Sequence, residues 1–146
     1  MELIHRNTDY AIRALISLAA LKEGECMTSA QLARAGSVPV PFMRKLMRKL
    51  VAEQLAVSVR GARGGYCLAR NPEVISVLTI MEIVQGPFLI NRCSLPAKRC
   101  PRRAKCPVRK ALQPIQLEMR KTLSSVPLSS LLLYKSRGRL EMKKCQ

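Results

Sequence analysis

Residues 28–50, TSAQLARAGSVPVPFMRKLMRKL, decide the fold. Thr28 is a good helix N-cap, and Gln31 stands three residues on, which completes a capping box. Gly36 supplies a residue able to take the left-handed conformation that ends a short helix. SVPVP then breaks the chain, and Pro41 suits the first turn of another helix, where its missing N–H has no partner to lose. From Pro41 to about Gln54, Phe42, Met43, Leu46, Met47, Leu50 and Val51 repeat at helical spacing, while Arg44, Lys45, Arg48 and Lys49 take the other side. Two short helices joined by a tight turn, the second basic, make a helix-turn-helix. Four cations on a helix are more often a plain solvated face. Here no acid stands between Glu25 and Glu53 to pair with them, and more basic segments follow.

Downstream, Leu55 to Arg60 alternates and is rich in valine, as a strand does. The glycine-rich turn 61–65 and the segment Tyr66 to Arg70 bring the chain back antiparallel, with Arg60 and Arg63 at the tip. A hairpin directly after a helix-turn-helix reads as the wing of a winged helix. Its glycines are not a phosphate-binding loop, because they join two strands and open no helix. Upstream, Thr8 to Leu21 is a helix with Ile12, Leu15, Ile16 and Ala19 on one face, stopped by Gly24. After the hairpin, Ser76 caps a helix that runs to Gln85 and stops at Gly86-Pro87. Val108, Ala111, Leu112, Ile115, Met119 and Leu123 then trace an apolar seam, the pattern of a long helix that pairs with a partner or packs on its own domain. Pro114 is expected to kink or interrupt it. One more short helix is expected from Val126 to Leu133.

The global charge agrees with the local pattern. Twenty-six Lys and Arg against nine Asp and Glu give +17 over 146 residues, an excess that usually serves a polyanion. Aromatic residues are only 3%, too few for the stacking platforms that hold single strands, so duplex DNA is the expected partner. No apolar run is long enough to span a membrane and no signal peptide is visible, so the chain reads as cytoplasmic. The helix entering the major groove would present Val40, Pro41, Arg44, Lys45 and Arg48 to base edges. Thr28, Ser29 and Gln31, with Arg60 and Arg63 of the wing, are placed for phosphates, or for the minor groove in the case of one wing arginine.

Residues 93–106, CSLPAKRCPRRAKC, carry the remaining chemistry. The spacing is C-x6-C-x5-C, with five Lys or Arg and no acid inside it. Grouped cysteines in a reducing compartment favour metal or redox chemistry over structural disulfides. Structural zinc sites usually use closer pairs and four ligands. Three evenly spread thiols suit a loop wrapped around an iron–sulfur cluster, and the cations then balance the charge of thiolates and cluster. Zinc and three free thiols are the alternatives. No histidine or acid accompanies the thiols as a nucleophile's base, so the chain does not read as an enzyme. Outside the loop, Cys67 alternates inward in the hairpin and reads as a small core residue, Cys26 lies in a connector, and Cys145 lies in the tail.

These segments, in this order over about residues 1–133, resemble the IscR/NsrR/RirA group of bacterial transcriptional regulators. The pieces that carry the resemblance are TDYAIRALISLA, TSAQLARAGSVPVPFMRKLMRKL, VRGARGGYCLARNP, ISVLTIMEIVQG, the three-cysteine loop and VPLSSLL. The resemblance implies a homodimer on a palindromic operator and a cluster bound by Cys93, Cys100 and Cys106, four-iron preferred and two-iron open. The histidine that IscR-like members place three residues after the last cysteine is Arg109 here. NsrR-like members use an acid near the start of the first helix, and Asp9 stands at the matching place as the candidate fourth ligand. The other reading of Asp9 is a helix N-terminal aspartate favoured by the dipole. His5, the one histidine, is the next candidate.

The expected fold is therefore mainly α with a small β-hairpin wing. Residues 1–72 form a winged helix-turn-helix, 73–133 the cluster-binding loop (91–107) with dimerisation helices, and 134–146 a basic flexible tail. The expected function is a DNA-binding transcription regulator, a repressor, governed by a cluster that senses iron, redox state or nitric oxide. The competing expectation is a regulator of the same fold without a cluster, responding through a partner protein, zinc or thiol oxidation.

Overall fold

The computed structural model describes residues 3–22, 24–61, 64–91 and 104–133. Five helices and one hairpin follow in the order α1 (Arg6–Ala19), α2 (Ser29–Gly36), α3 (Val40–Ala52), β1 (Ala56–Val59), β2 (Gly65–Leu68), α4 (Val77–Gln85) and α5 (Pro107–Ser124). Residues 128–133 add a short final helix. The expected tail, 134–146, lies outside the described residues.

The helix-turn-helix forms where its caps dictate. The Thr28 hydroxyl accepts from the Gln31 N–H at 3.2 Å, and Gln31 Oε1 accepts from the Thr28 N–H at 2.8 Å, so two otherwise orphaned donors of α2 are satisfied. The left-handed residue after α2 is Ser37 (φ 53°), and Gly36 is the last helical residue, so the stop falls one position later than glycine's freedom suggested. Pro39 is the N-cap of α3 and Pro41 lies in its first turn.

Packing is aliphatic throughout. Leu15, Leu32, Met43, Met47 and Leu50 are fully buried where α1, α2 and α3 meet. On α1 the buried stripe is Ala11, Ala14, Leu15 and Leu18, with Ile12, Ile16 and Ala19 on its flank. Small alanines at the centre let the neighbouring helices approach, and the larger isoleucines fill the margins. Ile75, Ile80 and Leu128 join this same core. Leu128 reaches it because the chain after α5 folds back: Val77 N–H donates to Val126 C=O at 2.9 Å, and Leu128 N–H to Ile75 C=O at 2.8 Å. A second cluster of Val77, Leu78, Met81 and Phe88 receives Met119 and Leu123 from α5.

Helix α5 runs unbroken through Pro114, against the expected interruption. Proline removes the N–H that would bond Lys110, but Lys110 and Pro114 are both exposed, so water can take that place.

The wing pairs Ala56 with Leu68 and Val59 with Gly65. A third segment joins it on the other side of β2. Met27 and Tyr66 exchange both backbone hydrogen bonds, at 2.9 and 2.8 Å. The adjacent residues, Cys26 and Cys67, are joined by a disulfide with Cα atoms 4.6 Å apart. This corrects the reading of Cys67 as a small core residue. It is half-buried, and its partner is the connector cysteine. Spacing alone could not reveal the pairing, since 41 residues separate the two.

Gly65 makes this junction possible. A Cβ there would lie 2.5 Å from the Met27 carbonyl oxygen. Gly65→Ala should destabilise the protein by about 1–3 kcal/mol through that overlap. Gly24→Ala, where a Cβ meets nothing within 4 Å but φ is +82°, should cost about 1 kcal/mol. Thermal or urea unfolding of the two variants checks the order.

Candidate nucleic-acid interface and cysteine loop

Arg44, Lys45 and Arg48 lie exposed on α3, opposite the buried Met43, Leu46, Met47 and Leu50. Arg44 is not free-swinging, because its Nε donates to the Ser29 hydroxyl at 3.3 Å and braces α3 against the start of α2. Lys49, the fourth cation of the helix, has a structural tie: its Nζ donates to the Val84 carbonyl at 3.1 Å, near the C-terminal end of α4, where the helix dipole favours a cation. Thr28 is exposed, but its hydroxyl also donates to Gln31 Oε1 at 3.0 Å, so the cap uses much of its capacity. That leaves the Ser29 hydroxyl proton and the Gln31 amide nitrogen as donors on this edge. Val40 packs partly against the core, and Pro41 is exposed. Arg60 is exposed at the end of β1, while Arg63 lies outside the described residues.

The cysteine loop is held at both ends by α5. At its entry Phe88 is buried, and its carbonyl accepts from Gln116 Nε2 at 2.5 Å. The Ile90 N–H donates to Gln116 Oε1 at 2.7 Å. Gln116 is the one buried residue of α5, and both its amide oxygen and its amide nitrogen serve this clamp. At the exit, Cys106 is the N-cap of α5. Its thiol is free and half-buried, and its side chain makes no capping hydrogen bond. Cys93 and Cys100 lie outside the described residues.

A second amide brings the N-terminus to the same place. Gln85 Oε1 accepts from the His5 N–H at 3.1 Å and the Thr8 hydroxyl at 2.7 Å, and Gln85 Nε2 donates to the Leu3 carbonyl at 3.1 Å. His5 thus lines a cavity of 530 Å³ with Phe88, Ile90, Ile115 and Met119, beside the loop's entry. Asp9 is half-exposed and forms an ion pair with Arg13 at 2.9 Å, one turn along α1. Among the described residues, no group of three or more His, Cys, Asp or Glu side chains comes together to hold a metal. What is visible of the donor set fits a cluster: a free soft thiol at a helix N-terminus, where unpaired N–H groups favour negative charge, on a loop rich in cations. Gln85, Gln116 and the Lys49 tie were not foreseen. An isolated Gln or Lys on an amphipathic helix carries no mark of a buried or bridging role.

Helix α4 is braced to α5 next to the clamp. Arg120 donates from Nη1 to Glu82 Oε1 and from Nη2 to Oε2, the latter at 3.3 Å. The Phe88 N–H also donates to Glu82 Oε1, at 3.3 Å. The hydrogen-bonded Arg120 guanidinium holds the Glu82 carboxyl below its ordinary value of 4.5, aided by the Phe88 N–H and opposed by partial burial. A lowered folded-state value means that the stabilisation is complete above 4.5 and disappears as pH falls through the lowered value. Glu82→Gln should therefore flatten the acid side of a Tm-against-pH curve below about 4.5 relative to the unaltered protein.

The family model described as "Rrf2: Iron-dependent Transcriptional regulator" matches residues 4–133. Among curated relatives, the chain is 41% identical over 78 residues to the transcriptional regulator IscR of Cereibacter sphaeroides, covering 52% of this chain and 50% of that one. It is 31% identical over 86 residues to NsrR of Bacillus subtilis, covering 59% of each. A helix-turn-helix transcriptional regulator of Aquifex aeolicus is 32% identical over 91 residues, covering 62% of each. The chain thus spans 50–62% of the length of these relatives. Among solved structures, CymR, titled the global cysteine regulator of B. subtilis, superposes with a TM-score of 0.74 at 24% identity, covering 92% of this chain and 98% of that one. IscR of T. potens gives 0.70 at 23% identity, covering 90% and 87%. At such identities the two structures bear on the winged-helix fold alone. No helix among the described residues is long and apolar enough to cross a membrane.

Proposed function

The chain belongs to the Rrf2 family of transcriptional regulators, and from that premise we propose that it is a dimeric repressor whose affinity for a palindromic operator is set by an iron–sulfur cluster on its cysteine loop. Residues 1–72 would read DNA, and residues 73–133 would sense and pair. Cys93, Cys100 and Cys106 would hold the cluster, four-iron preferred, with Asp9 of a second copy as fourth ligand. When bound, the cluster supplies a set of metal–thiolate bonds that iron shortage, oxygen or nitric oxide can remove.

The observation that carries this reading is the attachment of both loop ends to α5, through Gln116 and Cys106. A loop drawn around a cluster must pull on that helix. Helix α5 also leaves apolar surface bare in its first half: Val108 is 57% exposed and Ile115 51% exposed, whereas Met119 and Leu123 pack on the second cluster. A second copy of the chain would cover this surface. Its approach would bring Asp9, which belongs to no metal-binding group among the described residues of its own chain, to the other copy's loop. The distance between the two α3 helices then follows from how the α5 helices pair, and it must match half-sites a whole number of helical turns apart. On DNA, Arg44, Lys45 and Arg48, with Val40 and Pro41 at the start of α3, would face bases. Ser29, Gln31, Thr28, Arg60 and Arg63 would hold phosphates.

Anaerobic purification should give coloured protein with iron and sulfide in equal amounts. Cys106→Ser should lose the colour, and Asp9→Ala should shorten its lifetime in air. Colourless protein that holds zinc and binds DNA unchanged would overturn the cluster. Arg48→Ala should weaken operator binding by about 1–3 kcal/mol and relax preference at one base pair. Arg60→Ala should weaken specific and non-specific DNA alike and lower the salt slope by about 1. Titrations at two or more salt concentrations separate these effects.

A further inference from the structure

We propose that Cys26 and Cys67 form a reversible, peroxide-responsive dithiol–disulfide site that locks the wing to the helix-turn-helix, independently of the loop cysteines. Its consequence for DNA rests on the DNA-binding reading above.

The backbone prepares this site without help from sulfur. Met27 and Tyr66 exchange both of their N–H···O=C bonds, so the next pair along the antiparallel register, Cys26 with Cys67, is of the non-hydrogen-bonded kind. In such pairs the Cα atoms approach to about 4.5 Å, and here they are 4.6 Å apart. That spacing lies within the range a disulfide spans. Gly65 keeps the junction tight whatever the state of the thiols, because its missing side chain lets the Met27 carbonyl close in. The two sulfurs therefore stay opposed when reduced, and closing the bond needs no backbone movement.

Both cysteines border solvent-open clefts. Cys26 and Cys67 are half-buried, and each lines an open cleft of its own, one of 650 Å³ shared with Thr28 and Gln31, the other of 530 Å³ shared with Leu68 and Arg70. A small oxidant can enter either. With hydrogen peroxide, one cysteine's thiolate attacks an oxygen, the O–O bond breaks, and one water leaves as the sulfenic acid forms. The second thiol's sulfur then attacks the sulfenic sulfur, the S–O bond breaks, and a second water leaves. Two thiols and one peroxide become a disulfide and two waters, with two electrons passing from sulfur to oxygen. A dithiol reductant returns two electrons and two protons by exchange. In a reducing compartment such a bond is transient, as expected of a sensor.

The bond's position gives it an effect. Cys26 lies two residues before the N-cap of α2, and Cys67 lies in β2, so oxidation joins the phosphate-facing edge of the helix-turn-helix to the wing. Reduced, the Met27–Tyr66 pair and the packing of Tyr66 and Leu68 on the core hold them without a covalent link. A wing already fixed in place loses less freedom on binding, so the oxidised form should bind the operator more tightly, by roughly three- to tenfold.

The test uses the full chain in three states: reduced, treated with stoichiometric hydrogen peroxide, and treated then reduced again. Trypsin should release residues 23–34 and 64–70 as one disulfide-linked species in the treated state only. Amide exchange across 56–68 should slow with it. Cys67→Ser, given the same peroxide, should show neither change. It also controls for damage to the loop cysteines, so operator affinity should differ between treated protein and treated variant by the stated factor. Absence of the linked peptide, or a linked peptide with unchanged exchange, would sink the proposal, and equal affinities would remove its regulatory role. Should neither state prefer operator over random DNA, the DNA-binding reading fails while linkage and exchange still report on the lock.

Discussion

The pair of backbone hydrogen bonds between Met27 and Tyr66 makes the wing and the helix-turn-helix a single body. A two-stranded hairpin alone is marginal in water. Of β1, only Ala56 is buried, so packing alone would hold the wing poorly. The connector supplies a third rung, and it does so one residue before the Thr28 capping box that starts α2. The close approach excludes any side chain at position 65 and brings two cysteines face to face. Interface geometry, glycine placement and disulfide all descend from that one exchange.

The other half of the molecule is organised by two glutamines. Gln85 gathers Leu3, His5 and Thr8 to the end of α4, and Gln116 gathers Phe88 and Ile90 to α5. Buried backbone groups must find partners, and each amide offers a donor and an acceptor to a short irregular segment. The chain just before the cysteine loop is thus fixed on α5. Lys49 connects this region to α3 through the Val84 carbonyl, so the basic helix and the helix that precedes the cysteine loop share a direct polar contact.

Much of the fold was legible because its signals are local. The Thr28–Gln31 box, Pro41 in a first turn, the two-faced pattern of α3 and Ser76 before α4 are written within a few residues of their effect. The near misses were also local. Ser37 took the left-handed turn in place of Gly36, and α5 passed through Pro114 on an exposed stretch of the helix. What could not be read depends on tertiary contact. The Cys26–Cys67 bond spans 41 residues, and the Gln116 clamp reaches back 26 and 28 residues. The candidate site divides the same way. The basic face of α3 follows from periodicity, while the anchoring of the chain before the cysteine loop by Gln116 does not.

The disulfide has a topological consequence. It closes a covalent ring from residue 26 to residue 67, and that ring contains α2, α3 and β1 entire, with the four cations of α3 and the wing tip. Helices α1, α4 and α5 hang outside it as two tails. A protease that nicks the arginine-rich tip, around residues 60–63, therefore cuts the ring but leaves the fragments joined, and only reduction parts them. In its oxidised state the helix-turn-helix with its wing is a closed loop of chain that survives one cut.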